Sequence, residues 1–222
     1  MIRRGFAIAM LALALGGCAS AGLAPGPQAR PSGFASDRIS VSVQGQGLDV
    51  ILIPGMTSSI EIWDETAAAL APTHRLHLVQ VNGFAGHAAG ANAEGPVSAP
   101  VAEEIARYIG VAGLARPAVI GHSMGGTIGM MLAARHPEKV GRLMVVDMIP
   151  FMGVMFGGGG ATAESVEPMA AEIRAAMASA PQGIVSPQTR QTIYSMVRTE
   201  DARPRIVDHA RNSDNRVSAN AF

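Results

Sequence analysis

The chain has 222 residues, with 17 Lys+Arg balanced by 17 Asp+Glu. That balance gives no basic face for nucleic acid or an anionic surface, and an aromatic content of 4% offers no platform for stacking bases. The length and a hydrophobic content of 48% suit one domain with a sizeable core and a tail at either end.

In chain order, Arg3 and Arg4 precede the apolar stretch Phe6–Leu15, which is too short for a permanent membrane span and reads as a signal peptide over residues 1–17. Leu15-Gly16-Gly17-Cys18 is similar to the lipobox of bacterial lipoproteins, and the resemblance implies that Cys18 is acylated and begins the mature chain. Cleavage at Ala19-Ser20-Ala21 is the alternative, and would discard Cys18. Cys18 is the only cysteine and has no disulfide partner in the chain, which favours lipidation. Residues 18–37 are mostly Ala, Ser, Gly and Pro, a composition unable to offset its ordering entropy, and read as a flexible tether.

A core is expected over 38–150. Arg38–Val43 alternates apolar and polar residues, the pattern of an edge strand. Val50–Ile53 is a short buried strand that breaks at Pro54-Gly55-Met56. Ser58-Ser59 then open an amphipathic helix, Ile60–Leu70. His74–Val81 is the next strand, followed by a long loop, Asn82–Pro100, and a helix over Val101–Gly110. A strand over Pro117–Gly121 leads into Gly121-His122-Ser123-Met124-Gly125, with a helical run after it, and Arg142–Asp147 reads as a further buried strand. Strands alternating with helices imply a mainly parallel sheet covered on both faces. Its ligands bind at the carboxyl ends of the strands, next to Met56, Ser123 and Asp147.

Gly-x-Ser-x-Gly alone is weak, because 26 glycines and 15 serines in 222 residues give about 0.2 chance matches. The context is specific. Strand, serine-centred turn and helix form a nucleophile elbow. Gly121 and Gly125 would remove Cβ atoms that the sharp turn cannot hold, and the helix start offers free N–H groups. With the Pro54-Gly55-Met56 turn upstream, the chain resembles the α/β-hydrolase superfamily in its serine-nucleophile, lid-bearing branch. The resemblance implies an attack by Ser123 on an acyl carbonyl, with the backbone N–H groups of Met56 and Met124 as the oxyanion hole. The implied substrate is a small-molecule carboxylic ester, with no cofactor, no metal and no nucleic acid.

Residues 151–222 carry helical patterns over Ala163–Ala180, Pro187–Val197 and Arg203–Arg211, where the family places a helical lid. Methionines 148, 152, 155, 169, 177 and 196 either line an acyl pocket or pack the lid on the core. Serine needs a base and an orienting acid, and the family order is serine, acid, histidine. His136 lies ~20 Å along the helix from Ser123. His209, among Asp208, Arg211 and Asp214, reads as a solvated surface histidine. His122 is expected to diverge from its neighbour, and His87 to line a pocket at most. Asp147 is the one sensibly placed acid, or merely caps its turn. The last strands of the fold are missing from the pattern, so the chain reads as truncated. The readings left open are an envelope esterase anchored through Cys18, a non-catalytic hydrolase-like binding protein, and a carbon–carbon hydrolase or cofactor-free haloperoxidase on the same scaffold.

Overall fold

The computed structural model describes residues 33–222; the expected signal peptide, Cys18 and nearly all of the tether lie outside the described residues. Five strands form one sheet: β1 (Ile39–Gly45), β2 (Leu48–Ile53), β3 (His74–Val81), β4 (Ala118–His122) and β5 (Arg142–Val146). Their order is β1-β3-β2-β4-β5. β1 runs antiparallel to β3, with Ile39 opposite Val81, while β2, β3, β4 and β5 are parallel.

The period-2 alternation of the strands splits the core in two. Ile51, Ile53, Val79, Val81 and Val119 point to one face, where they meet Val101 and Ile105 of α2 (Ser98–Val111) and Ile128 and Leu132 of α3 (Met124–Arg135). Val50, Leu52, Leu76 and Leu78 point to the other, against Trp63 and Ala67. Each such side chain, fully buried, contributes about 1.5–3 kcal/mol. The result is a three-layer α/β domain, the architecture that alternating strands and helices demand.

Three local expectations change. The Ile60–Leu70 helix divides into a 3-10 turn, Ile60–Trp63, and α1 (Asp64–Leu70), with Ser59 Oγ accepting from Glu61 N–H at 3.2 Å to cap the turn. The long loop holds a 3-10 turn at Gly90–Ala93, and α2 starts three residues before Val101, with Pro100 in its first turn, where a missing N–H costs nothing. β5 is not buried. It is the edge of the sheet, and Met144 is 58% exposed because the α1 layer covers β2 and β3 but stops short of β5.

After β5 come α4 (Val154–Gly157), α5 (Ala163–Ser179), α6 (Pro187–Met196), α7 (Arg203–Arg211) and α8 (Asn215–Ala221). Among the described residues no helix is long and apolar enough to cross a membrane.

Candidate active site

Ser123 joins β4 to α3 with φ 52° and ψ −123°, a region that L residues occupy only when their surroundings enforce it. The surroundings are specific. Ser123 N–H donates to the Val146 carbonyl at the end of β5 (2.9 Å), and the Ser123 carbonyl accepts from the N–H groups of Gly126 (2.7 Å) and Thr127 (3.2 Å). The strand therefore becomes a helix within one residue. Neither flanking glycine tolerates a side chain: a Cβ on Gly121 would lie 2.1 Å from the Gly125 carbonyl oxygen, and one on Gly125 would lie 2.2 Å from that of Ile53.

The turn after β2 lies against this elbow. A Cβ on Gly55 would sit 3.2 Å from Ser123 Cβ and 3.1 Å from His122 Nδ1. Met56 follows directly. Its N–H and that of Met124, the first residue of α3, donate to no group among the described residues. Unpaired amides beside a serine are suited to receiving an oxyanion.

The Met56 turn is braced by distant parts of the chain. Thr57 takes a left-handed φ of 61°, and its carbonyl accepts from Ser213 Oγ at 3.3 Å. Ser59 N–H donates to His209 Nδ1 (3.5 Å), and Ile60 N–H donates to Gln80 Oε1 (3.0 Å). Sequence reasoning missed Gln80 and Ser213, since contacts across such separations leave no local pattern.

One histidine differs from expectation, and a second is half-buried beside the turn. His209 is not a solvated surface residue: it is buried on α7, and because Nδ1 accepts from Ser59, Nε2 carries the proton that is donated to Glu61 Oε2 at 3.0 Å. The signal was present in the apolar Ile206, Val207 and Ala210, which define an inward side that the neighbouring charges mask. His122 borders Gly55, as the Ser123 Cβ does. Its Nδ1 is buried without a partner. Burial pushes the His122 ring below its ordinary range, against the pull of the Asp147 charge, so it is neutral at pH 7.

Asp147 follows β5 with φ 53° and is exposed. His136, at the far end of α3, pairs with Glu103 Oε2 at 2.7 Å. His87 is exposed and lines an open cleft of about 460 Å³ with Ala178, Gln182, Asn212 and Asp214, none of which belongs to the elbow. Among the described residues no cluster of His, Cys, Asp or Glu could hold a metal ion.

A second buried polar group is centred on β3. His77 bridges Tyr108 Oη (2.6 Å) and Asp49 Oδ1 (3.0 Å), and Arg75 Nη2 donates to Asp49 Oδ2 at 3.0 Å. Burial lowers the pKa of His77 despite its Asp49 partner, and burial pushes Tyr108 up to about 12. Burial opposes ionisation of Asp49, but its bonds to Arg75 and His77 prevail and hold it below the usual carboxylate range.

Comparison with known proteins matches residues 50–177 to a family described as having the alpha/beta hydrolase fold. A pimeloyl-[acyl-carrier protein] methyl ester esterase from Vibrio atlanticus is 31% identical over 115 residues, 52% of this chain and 42% of the relative. A protein provisionally assigned as a carbamate hydrolase, from Azorhizobium caulinodans, is 34% identical over 106 residues, 47% of this chain and 39% of that protein. The chain thus spans about two-fifths of the length of these relatives. Among solved structures, an N-acyl homoserine lactonase mutant complexed with N-hexanoyl homoserine superposes with a TM-score of 0.64 at 20% identity, covering 84% of this chain and 66% of that one. A hydrolase from Pseudomonas aeruginosa reaches 0.67 at 17% identity, with coverages of 83% and 66%. At such identities the two structures speak for the fold alone.

Proposed function

Because the chain belongs to the α/β-hydrolase family, we propose that it is a serine hydrolase of carboxylic esters. Ser123 Oγ attacks the acyl carbonyl, and the N–H groups of Met56 and Met124 receive the oxyanion. Collapse of the tetrahedral adduct expels the alcohol, and water then frees the acid from the acyl-serine. The observation that carries this reading is the strained Ser123 turn packed against Gly55, beside two amides with no other partner. The names of the esterase and carbamate hydrolase relatives support it, since esters and carbamates alike are attacked at a carbonyl carbon.

A base must still take the serine proton. His209 is engaged with Glu61 and Ser59, and His136 with Glu103. We assign the base to chain that pairs on the outer edge of β5, which is open and apolar at Leu143 and Met144. Asp147, at the end of β5, is the acid that the described residues offer. A non-catalytic binding protein is the second reading, favoured by the absence of a described histidine bonded to Ser123. Residues 1–18 support export and acylation of Cys18, which hold the domain on a membrane of the cell envelope. In that case Cys18→Ser leaves an unprocessed precursor that carries no acyl label, whereas normal cleavage near Ala21 would remove the anchor.

A serine-directed fluorophosphonate tests the chemistry. Protein that carries such a base-supplying segment on β5 should form an adduct on Ser123 that Ser123→Ala abolishes. The 222-residue chain should label no more than its Ser123→Ala variant, because activation of Oγ needs the base. An adduct indifferent to Ser123→Ala sinks the esterase reading. Rapid labelling of the 222-residue chain would instead make His122 the first residue to replace, because its ring borders the same glycine as Ser123 Cβ.

A further inference from the structure

The Ser123 end of the sheet carries a stretch without charge. No Asp, Glu, Lys or Arg occurs from Met148 to Ala163. Within it Ile149, Phe151, Met152, Val154, Met155 and Phe156 are all exposed, Met155 at 70%. The stretch begins beside the elbow, since a Cβ on Gly126 would lie 3.2 Å from Met148 Cβ. A contiguous apolar patch of this kind marks a surface that has an occupant.

Three features of the chain select a lipid surface as that occupant. A protein partner would meet a rim of polar and charged groups, whereas residues 148–163 offer no charge at all, which suits acyl chains. The chain that precedes β1 also enters the sheet at this end, because β1 is antiparallel and Ile39 stands opposite Val81 at the carboxyl end of β3. That preceding chain carries the apolar Phe6–Leu15 and Cys18. From Ala19 to Arg38 it can extend at most about 70 Å, so membrane attachment through the leader keeps the Ser123 end within reach of the bilayer.

We propose that Ile149–Phe156 docks on a lipid bilayer, inserting its side chains at the headgroup boundary and presenting Ser123 to esters that arrive from the acyl phase. The proposal rests on the anchored-esterase reading of the same site, but its test uses neither turnover nor acylation. Contact through uncharged side chains is insensitive to ionic strength, unlike attachment through a basic patch. The segment therefore binds zwitterionic and anionic bilayers alike.

Trp63 is the one tryptophan of the chain and is buried, so it gives a fixed fluorescence background. The 222-residue chain carrying Phe156→Trp and, separately, Met155→Trp is mixed with phosphatidylcholine vesicles, with and without phosphatidylglycerol, at low and high salt. The expected result is a blue shift of the added tryptophan and its quenching by lipids brominated on the acyl chain, in both vesicle types and at both salt levels. Adding Val154→Asp to either variant should abolish the shift without loss of folded signal, because residue 154 is at the surface. Three results overturn the proposal. One is vesicle binding through the leader with the tryptophan unmoved. A second is a shift confined to anionic vesicles and lost in salt. The third is emission already blue without lipid, which would mean that protein, either a second copy or further chain, covers the segment. Failure of Ser123 to label in the fluorophosphonate experiment would remove the esterase reading and leave this docking result standing.

Discussion

α5 and α6 bury one side chain between them, Ile193, although they run for 17 and 10 residues. α7 and α8, at 9 and 7 residues, bury Val207, His209, Val217, Ser218 and Ala219. α5, α6 and α7 read in the sequence as successive helices of one lid, and α8 carries no helical pattern of its own there, yet only α7 and α8 are seated on the sheet domain. A seven-residue helix does not form on its own. α8 forms because Asp214 caps it, accepting from Arg216 and Val217 N–H, and because the backbone around it is claimed by the loop after β3. Asp214 N–H donates to the Gly83 carbonyl at 2.7 Å, Gly86 N–H to that of Asn212 at 2.9 Å, and Val97 N–H to that of Asn220 at 3.3 Å. Helix length, then, is no guide to how firmly a segment is held; burial and the pairing of backbone groups are.

The contrast can be broken most sharply with one charge placed in each half. Val217 is fully buried, and Val217→Asp should cost about 4 kcal/mol or more by leaving an unpaired charge in the core. On α5, the exposed Met169→Asp should shift urea unfolding by less than about 0.5 kcal/mol, as exposed substitutions do; equal effects would mean that the two halves are packed alike. His209→Ala should cost about 1–3 kcal/mol, because it strips the buried Ser59 N–H of its acceptor. His209→Gln, which keeps an acceptor, should recover part of that loss.

Acid should act on the shared core and so loosen both halves together. His77 and His122 are held below the ordinary histidine value of 6.5 by burial. The unfolded chain therefore takes up more protons than the folded one once pH falls below 6.5, and stability declines from there towards the folded values. Asp49, also lowered, adds a second decline below its ordinary 3.8. His77→Gln should flatten the first decline in a pH series of thermal unfolding, and an unchanged slope would locate the titration elsewhere. The smallest effect to read is proteolytic. Light digestion should cut the exposed Gly157–Gly160 and residues 181–186 before it cuts 203–222, since local opening is easiest where few apolar contacts hold the backbone.

Much of the candidate site's backbone geometry was legible because its constraints are local. A serine on a strand-to-helix turn needs small neighbours, and Gly121 and Gly125 announce that need. Pro54-Gly55 announces the end of the strand beside it. The bracing of the turn after Met56 was not legible, because Gln80, His209 and Ser213 bond to residues 57–60 from 20 to 156 residues away. The charge of Asp208 and Arg211 pointed His209 outward, and packing turned it inward.

By itself the sequence determined the strand and helix periods, the parallel sheet they require, the elbow at Ser123 and the uncharged run after Met148. Each of these follows from backbone sterics or from apolar periodicity, which act over a few residues. Only the tertiary structure decided that β5 is an open edge, that His122 and Ser123 share a border at Gly55, and that the last two helices are core while the two before them are surface. These outcomes depend on which segments meet across the fold, and that is set by the joint burial of surfaces far apart in the chain.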